Sequence, residues 1–249
     1  WVVSAKSAPA LAGQAARLAE YLRAHDELDV ADVGWSLAGR ATFEHRAVVV
    51  GGDRDRLLAG LDELADDDPA GSIIRGAATP AGKTVFVFPG QGSQWLGMGT
   101  ELLDTAPVFA QHIQACEEAF SEFVDWSLID VLRGAPGAPG MDRVDVVQPV
   151  LFAVMVSLAE LWKSVGVNPD AVIGHSQGEI AAAYVAGALP LRDAARVVTL
   201  RSKLLRSSAG PGGMLSIACS TERARELLAP YGNRVSIAAV NGRSAVVVS

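Results

Sequence analysis

The pentapeptide Gly174-His175-Ser176-Gln177-Gly178 fits the G-x-S-x-G pattern, in which a serine is lifted out of a tight strand-to-helix turn. Glycines on both sides let the backbone turn sharply and keep bulk away from the hydroxyl, and the amide at the start of the next helix points at an incoming oxyanion. The chemistry on offer is nucleophilic attack by Ser176 on an acyl carbon. The flanks suit it: Ala171-Val172-Ile173 reads as the end of a strand, and residues Glu179 to Ala186 are strong helix formers. A second place for chemistry is Pro89-Gly90-Gln91-Gly92-Ser93-Gln94, which turns off the apolar strand Thr84–Phe88. It lacks the third glycine of a dinucleotide loop, where Trp95 stands, and the lysine of a phosphate loop. Two readings remain: an ordinary strand-to-helix turn, or a loop that carries an amide donor and Gln91 to a reaction centre on a neighbouring strand.

The third residue is Arg201. At 100° per residue, the helix expected over Leu191–Ser208 has an apolar stripe of Ala194, Val197, Val198, Leu204 and Leu205, with Arg201 in its middle. A core-facing guanidinium is costly unless paired, so it is a structural ion pair, a side chain that reaches out to solvent, or a bidentate clamp for a substrate carboxylate.

The elements that must hold these residues follow from pattern. Residues 1 to about 81 read as a small α/β unit: strand Trp1–Ser4, a helix with Leu11, Ala15, Leu18 and Leu22 on one face, strand Arg46–Val50 and a helix from about Arg54. The run Asp66-Asp67-Asp68 is a solvated helix end, and Gly76 to Gly82 a linker. Beyond it, the all-apolar strand Thr84–Phe88 is expected to be covered on both faces. A helix over Val108–Phe123 presents Phe109, Ile113, Cys116 and Phe120, so Cys116 packs in the core rather than joining His112 in a metal pair. Pro149 is expected to open a buried helix to Trp162. After Gly210-Pro211-Gly212-Gly213 come short strands at Met214–Ala218, Val235–Val240 and Ala245–Val248, a helix over Thr221–Leu228, and a turn at Asn241-Gly242.

With 249 residues, half of them hydrophobic, the chain can bury a sizeable core. A net charge of −7 without a basic run argues against nucleic acid. Two unpaired cysteines, Cys116 and Cys219, and four scattered histidines suggest neither a disulfide framework nor a metal site. The run Val150–Ala159 is too short to span a bilayer and the first residues lack the layout of a signal peptide, so the expectation is a cytoplasmic protein without membrane contact.

Phe88 to Gln94, Gly174 to Gly178 and Arg201-Ser202-Lys203, in this order and spacing, resemble the malonyl-type acyltransferase domains of fatty acid and modular polyketide synthases. The resemblance covers Lys83 to Ser249, and residues 1–82 resemble the linker that joins a ketosynthase to such a domain. It implies a hydrolase-like α/β core with a mostly parallel sheet over 83–210, the start of a small ferredoxin-like α+β subdomain over 211–249, and a small α/β linker domain over 1–82. It further implies that Ser176 is acylated, that the amides of Gln91 and Gln177 form the oxyanion hole, and that Arg201 grips the free carboxylate of an extender unit. Gln148, His175 and Gln177 become specificity positions. Arg143 to Gln148, together with Gln177, resemble the pattern of members that select methylmalonyl over malonyl groups. The implied partners are a CoA thioester, the phosphopantetheine thiol of an acyl carrier protein and an adjacent ketosynthase, with no bound cofactor or metal. One departure stands out: the family's general base is a histidine well C-terminal to the serine, and none follows Ser176 here, so the sequence is expected to be part of a longer domain. Two other functions remain open, a serine esterase or thioesterase in which water replaces the carrier thiol, and a non-catalytic docking fragment.

Overall fold

A computed structural model describes residues 1–66, 73–79, 82–208 and 212–249. Asp67-Asp68 of the acidic run, Pro80-Ala81 of the expected linker and Gly210-Pro211 of the glycine turn lie outside the described residues. The chain divides into two compact units, Trp1–Gly82 and Lys83–Ser249.

The first unit runs β1 (Val2–Ala5), α1 (Ala8–Ala24), α2 (Val30–Ala38), β2 (His45–Val49), α3 (Arg54–Ala65) and β3 (Ile73–Ala77), with an antiparallel sheet in the order β1-β2-β3. Ser7, Asp29 and Asp53 cap the three helices through their side-chain oxygens. Leu11, Ala15, Ala19 and Leu22 of α1 meet Leu57, Leu61 and Leu64 of α3 in the core over Val3, Ala47 and Val49. Two elements depart from the sequence reading. Helix α2 hides behind Gly34 and Trp35, but Asp29 bonds the amides of Ala31 and Asp32, and Val33 and Leu37 are buried. Strand β3 ends on Gly76 and Ala77, read as linker, because register pairing of Arg46 with Gly76 and of Val48 with Ile74 overrides the weak local strand signal.

The second unit runs β4 (Val85–Phe88), α4 (Thr100–Thr105), α5 (Pro107–Phe120), α6 (Leu128–Arg133), α7 (Val144–Ser164), β5 (Ala171–Gly174), α8 (Gly178–Val185), α9 (Leu191–Ser208), β6 (Leu215–Ile217), α10 (Thr221–Leu228), a short 3-10 turn (Ala229–Arg234), β7 (Ile237–Gly242) and β8 (Ala245–Val248). Strands β4 and β5 pair in parallel, joined by the long helical crossover that a parallel pair requires. The core is built on α7, whose Val146, Val150, Phe152 and Val156 are fully buried between Phe109, Ile113, Cys116 and Phe120 of α5 and the small residues Ala181, Ala182, Ala194 and Ala195 of α8 and α9. Alanines there let two helices approach α7 closely, and Phe152 fills the space between Phe120 and Tyr184.

Four expectations are corrected here. Helix α7 starts at Val144, and Pro149 lies inside it. The Asp145 carbonyl therefore lacks its usual intrahelical donor, a loss offset by the burial of Val146, Val147 and Val150. At 21 residues α7 is long and apolar enough to cross a bilayer, unlike the shorter run that defined it in the sequence, yet it is mostly covered by protein. Strand β4 is not covered on both faces: Phe88 is buried but Val87 is 66% exposed, beside a groove of about 670 Å³ that Trp95, Leu158 and Trp162 also line. Among the described residues only β5 pairs with it. Finally, Asn241-Gly242 belongs to β7, and the hairpin turns at Arg243-Ser244. In that three-stranded antiparallel sheet, β8 lies in the centre, between β6 and β7.

Burial pushes the Cys116 thiol up to about 12. With native protein, a thiol-reactive dye is expected to label half-buried Cys219 and to leave Cys116 untouched until the fold opens. Equal labelling rates in native buffer would contradict this packing.

Candidate active site

The turn after β5 is a nucleophile elbow by its geometry. Ser176 has φ +54°, a left-handed conformation that non-glycine residues rarely hold, and among the described residues it is the single non-glycine with positive φ. Glycine is required on both sides for different reasons. A methyl group on Gly178 would overlap the carbonyl oxygens of Phe88 and Pro89, and one on Gly174 would overlap the backbone of Glu179. The His175 amide donates to the Phe88 carbonyl at 2.9 Å, which ties the elbow to the end of β4, where the Gly90 loop departs. A Cβ on Gly90 would in turn come within 2.9 Å of the His175 ring and 3.3 Å of the Ser176 Cβ, so a side chain there would be crowded.

Ser176 itself is exposed at the start of α8. Among the described residues, neither the Gln91 nor the Gln177 backbone amide donates a hydrogen bond, so both remain available to an acceptor. The Gln177 side chain is the opposite case. It is 1% exposed, and neither polar atom of its carboxamide has a hydrogen-bond partner among the described residues.

Three of the residues singled out in the sequence are joined directly. Arg201 Nη1 on α9 donates to Gln148 Oε1 on α7 at 2.6 Å, and Gln148 Nε2 donates to Gln91 Oε1 in the Gly90 loop at 3.1 Å. The row spans three elements, and Gln148, 5% exposed, uses both ends of its carboxamide. The stripe from which Arg201 was inferred is only half buried: Ala194 and Val198 lie in the core, whereas Val197, Leu204 and Leu205 are exposed. The face that packs is Ala194, Ala195, Val198, Thr199 and Ser202, whose two hydroxyls bond back to the helix's own carbonyls. Arg201 lies at the edge of that face and makes no ion pair among the described residues.

Sequence reasoning missed Asn241, whose Oδ1 lies 3.2 Å from His175 Nε2. An Asn-Gly pair signals a turn, and nothing local marks the asparagine as a partner of a histidine 66 residues away. It also missed the clasp around Asp145, a buried carboxylate bonded by Arg143 and Arg206 at 2.8 Å each. The Arg143 hydrogen bond, ahead of that from Arg206, holds the Asp145 carboxyl below its ordinary range. Because the folded value is the lower one, its contribution to stability is present above the unfolded value and is lost as the pH falls, below about pH 4. No group of three or more potential metal ligands occurs among the described residues.

Two outcomes follow from the elbow. Gly178→Ala is expected to destabilise the protein by about 3 kcal/mol or more in urea unfolding, because backbone rather than a flexible side chain must yield. A loss under about 1 kcal/mol would mean the elbow is looser than its geometry. Gln177→Met, close in shape but apolar, is expected to raise stability by about 1–3 kcal/mol by removing two unbonded buried polar atoms. A lower melting temperature for this variant would mean that those atoms are in fact hydrogen-bonded, by buried water for example.

Residues 85–249 match the family described as acyl transferase domain, and residues 1–61 match one described as CurL-like, PKS C-terminal. The chain is 83% identical over all its 249 residues to the mycoketide-CoA synthase of Mycobacterium tuberculosis, of whose length it spans 6%. Among solved structures it is similar to the acyltransferase domain from module 8 of the salinomycin polyketide synthase, with TM-score 0.91 at 56% identity, covering 100% of this chain and 59% of that one. It is also similar to the acyl transferase domain of SpnD in complex with 2-(pent-4-yn-1-yl)malonyl, with TM-score 0.82 at 29% identity, covering 99% of this chain and 57% of that one. With a strained serine between two obligatory glycines, and a family match over the unit that holds it, the chain belongs to the acyl transferase domain family of polyketide synthases.

Proposed function

We propose that Ser176 accepts an extender unit, methylmalonyl in preference to malonyl, from its CoA thioester and passes it to the phosphopantetheine thiol of an acyl carrier protein. The observation that carries this reading is the row Arg201–Gln148–Gln91, which sets a guanidinium without a carboxylate partner among the described residues in line with the loop packed on the elbow. Ser176 Oγ attacks the thioester carbonyl, its proton goes to a base, and the CoA thiolate leaves and takes up a proton. The amides of Gln91 and Gln177 hold the oxyanion of each tetrahedral intermediate, while Arg201 pairs with the free carboxylate that malonyl-type groups carry. Attack by the carrier thiol on the acyl-serine then regenerates Ser176.

His175 is not placed as the base. Its Nε2 is engaged with Asn241 and its Nδ1 packs against Gly90, so the proton acceptor is a group other than this histidine. The malonyl derivative named with SpnD supports a carboxylated substrate. Preference for methylmalonyl rests on Gln177 and the Arg143–Gln148 stretch. We read residues 1–82 as the linker that meets a ketosynthase, in keeping with the match over 1–61, and β6–α10–β7–β8 as the start of a ferredoxin-like subdomain. Hydrolysis by water is the competing reaction. A guanidinium reserved for a substrate carboxylate has no use in a general esterase.

In the longer domain of which this sequence is expected to be part, intact mass after incubation with methylmalonyl-CoA is expected to show one adduct that Ser176→Ala abolishes. Arg201→Ala is expected to reduce acylation by methylmalonyl-CoA relative to propionyl-CoA by the worth of a charge-assisted pair, about 1.5–3 kcal/mol. An unchanged ratio would remove Arg201 from carboxylate recognition. In direct competition, methylmalonyl-CoA is expected to outcompete malonyl-CoA by only the worth of one methyl group, about 1–3 kcal/mol. Equal incorporation would show that Gln177 and residues 143–148 do not select the extender.

A further inference from the structure

We propose that Gln94 is a positioning residue for acyl transfer, which aims the Gln91 amide by pinning the peptide that follows it. The inference rests on the reading of the Gln91 amide as a donor to the oxyanion. Gln94 closes the segment Pro89-Gly90-Gln91-Gly92-Ser93-Gln94, and its side chain folds back over the loop, where Oε1 accepts the Gly92 amide at 2.8 Å.

Peptide geometry carries the effect to Gln91. Two rigid planes meet at its Cα: the first holds the Gly90 carbonyl and the Gln91 N–H, pointing opposite ways, and the second holds the Gln91 carbonyl and the Gly92 N–H. Gln91 has a Cβ, and its φ is not positive, so the angle between the two planes is confined. Whatever direction the second plane takes, the Gln91 N–H follows. Gln94 holds that second plane at ordinary hydrogen-bond distance, while the Ser93 hydroxyl reaches the Gly90 carbonyl of the first at a long 3.4 Å.

Packing does not hold the second plane. Gly92 has φ +120°, a conformation that side chains rarely adopt, and apart from its chain neighbours no heavy atom lies within 4 Å of where its Cβ would stand. Among the described residues, no backbone group of residues 90–94 is bonded to another backbone group. Gly90 is the contrast, since a Cβ there would be crowded by the His175 ring and the Ser176 Cβ. The loop is therefore fixed by close packing where it meets the elbow and by the Gln94 side chain just beyond. The bond from Gln148 holds the far end of the Gln91 side chain, which is flexible and does not orient its own amide. A donor that already points at the oxyanion needs no turning at the moment of reaction, and this is where such a donor gains its effect. Without Gln94, the exposed Gly92 amide bonds water instead, so stability changes little while the Gln91 N–H loses its fixed direction.

The test follows acylation of Ser176 by methylmalonyl-CoA in a single turnover of the longer domain, read by intact mass. The amplitude reports the folded fraction, and the rate constant at saturating substrate does not depend on it. Gln94→Met keeps the length of the side chain and removes the acceptor. It is expected to lower the rate constant by about tenfold, less than the 10²–10³-fold or so that outright removal of an oxyanion donor costs, because the donor is misdirected rather than absent. The half-saturating concentration and the melting temperature are expected to stay nearly unchanged, since the oxyanion forms only as the reaction proceeds. A rate constant lowered by less than about threefold, or a loss carried by the half-saturating concentration alone, overturns the inference. Gln94→Ala removes the same acceptor and is read in the same way where Gln94→Met fails to fold. Failure of both to fold would make Gln94 a residue of the fold rather than of the oxyanion site, which also overturns it. An unsubstituted domain that gives no adduct on Ser176 sinks the functional reading itself, whereas normal acylation of both the unsubstituted domain and the variants sinks the role of Gln94 alone.

Discussion

Ser176 is held at a positive φ that costs about 1–3 kcal/mol on its own, and the packing of the larger unit converges on keeping it there. The constraint is steric before it is chemical. Gly178 presses on the carbonyls of Phe88 and Pro89, Gly174 on the backbone of Glu179, and the His175 amide bonds Phe88, so the ends of two parallel strands and the start of α8 are one solid junction. A backbone so confined cannot relax the serine back into an ordinary turn. The hydroxyl stays exposed at a helix N-terminus, where amides without partners favour a developing negative charge.

The same junction sets what surrounds the serine. The Gly90 loop lies on the elbow because Gly90 has no side chain to meet the His175 ring and Gly178 has none to meet the Phe88 and Pro89 carbonyls, and this brings Gln91 within reach of Gln148 on α7. Helix α7 is almost wholly buried, so its one long polar side chain in this region must find partners, and it finds one on each side, Gln91 and Arg201. Gln177, equally buried, has none among the described residues. Two buried glutamines, one next to Ser176 and one on α7, therefore have opposite roles in energy. One closes a hydrogen-bonded row, and the other is an uncompensated polar group of the kind that sequences keep at working sites at the expense of stability.

Much of this architecture was legible in the residues. The period of two in short apolar runs and of 3.6 in long ones located most elements, including α1, α3, α5, α8 and α10, and α1, α3 and α10 also carry capping side chains. The readings that failed did so where a local rule met a tertiary one. Proline at the first helical position is a sound local rule, but Pro149 sits inside α7 because buried valines and the Asp145 clasp extend the helix past it. The stripe on α9 was misplaced because exposed leucines and buried alanines carry the reverse of the usual signal. Arg201 was singled out nonetheless, since a cation beside an apolar face stands out whichever edge of the face it occupies.

The sequence by itself determined that a serine would stand in a strand-to-helix elbow, because only the spacing of Gly174, Ser176 and Gly178 with their flanks is needed for that turn. It also supplied Gln91, Gln148 and Arg201 as separate residues worth attention. Only the tertiary structure decided that these three form a single row, that Asn241 meets His175, and that Asp145 joins the two helices beneath. The reason is sequence distance. An elbow is closed by contacts within a few residues and leaves a local pattern, whereas a hydrogen bond between residues 53 or 57 positions apart is set by how whole helices pack, which no short pattern encodes.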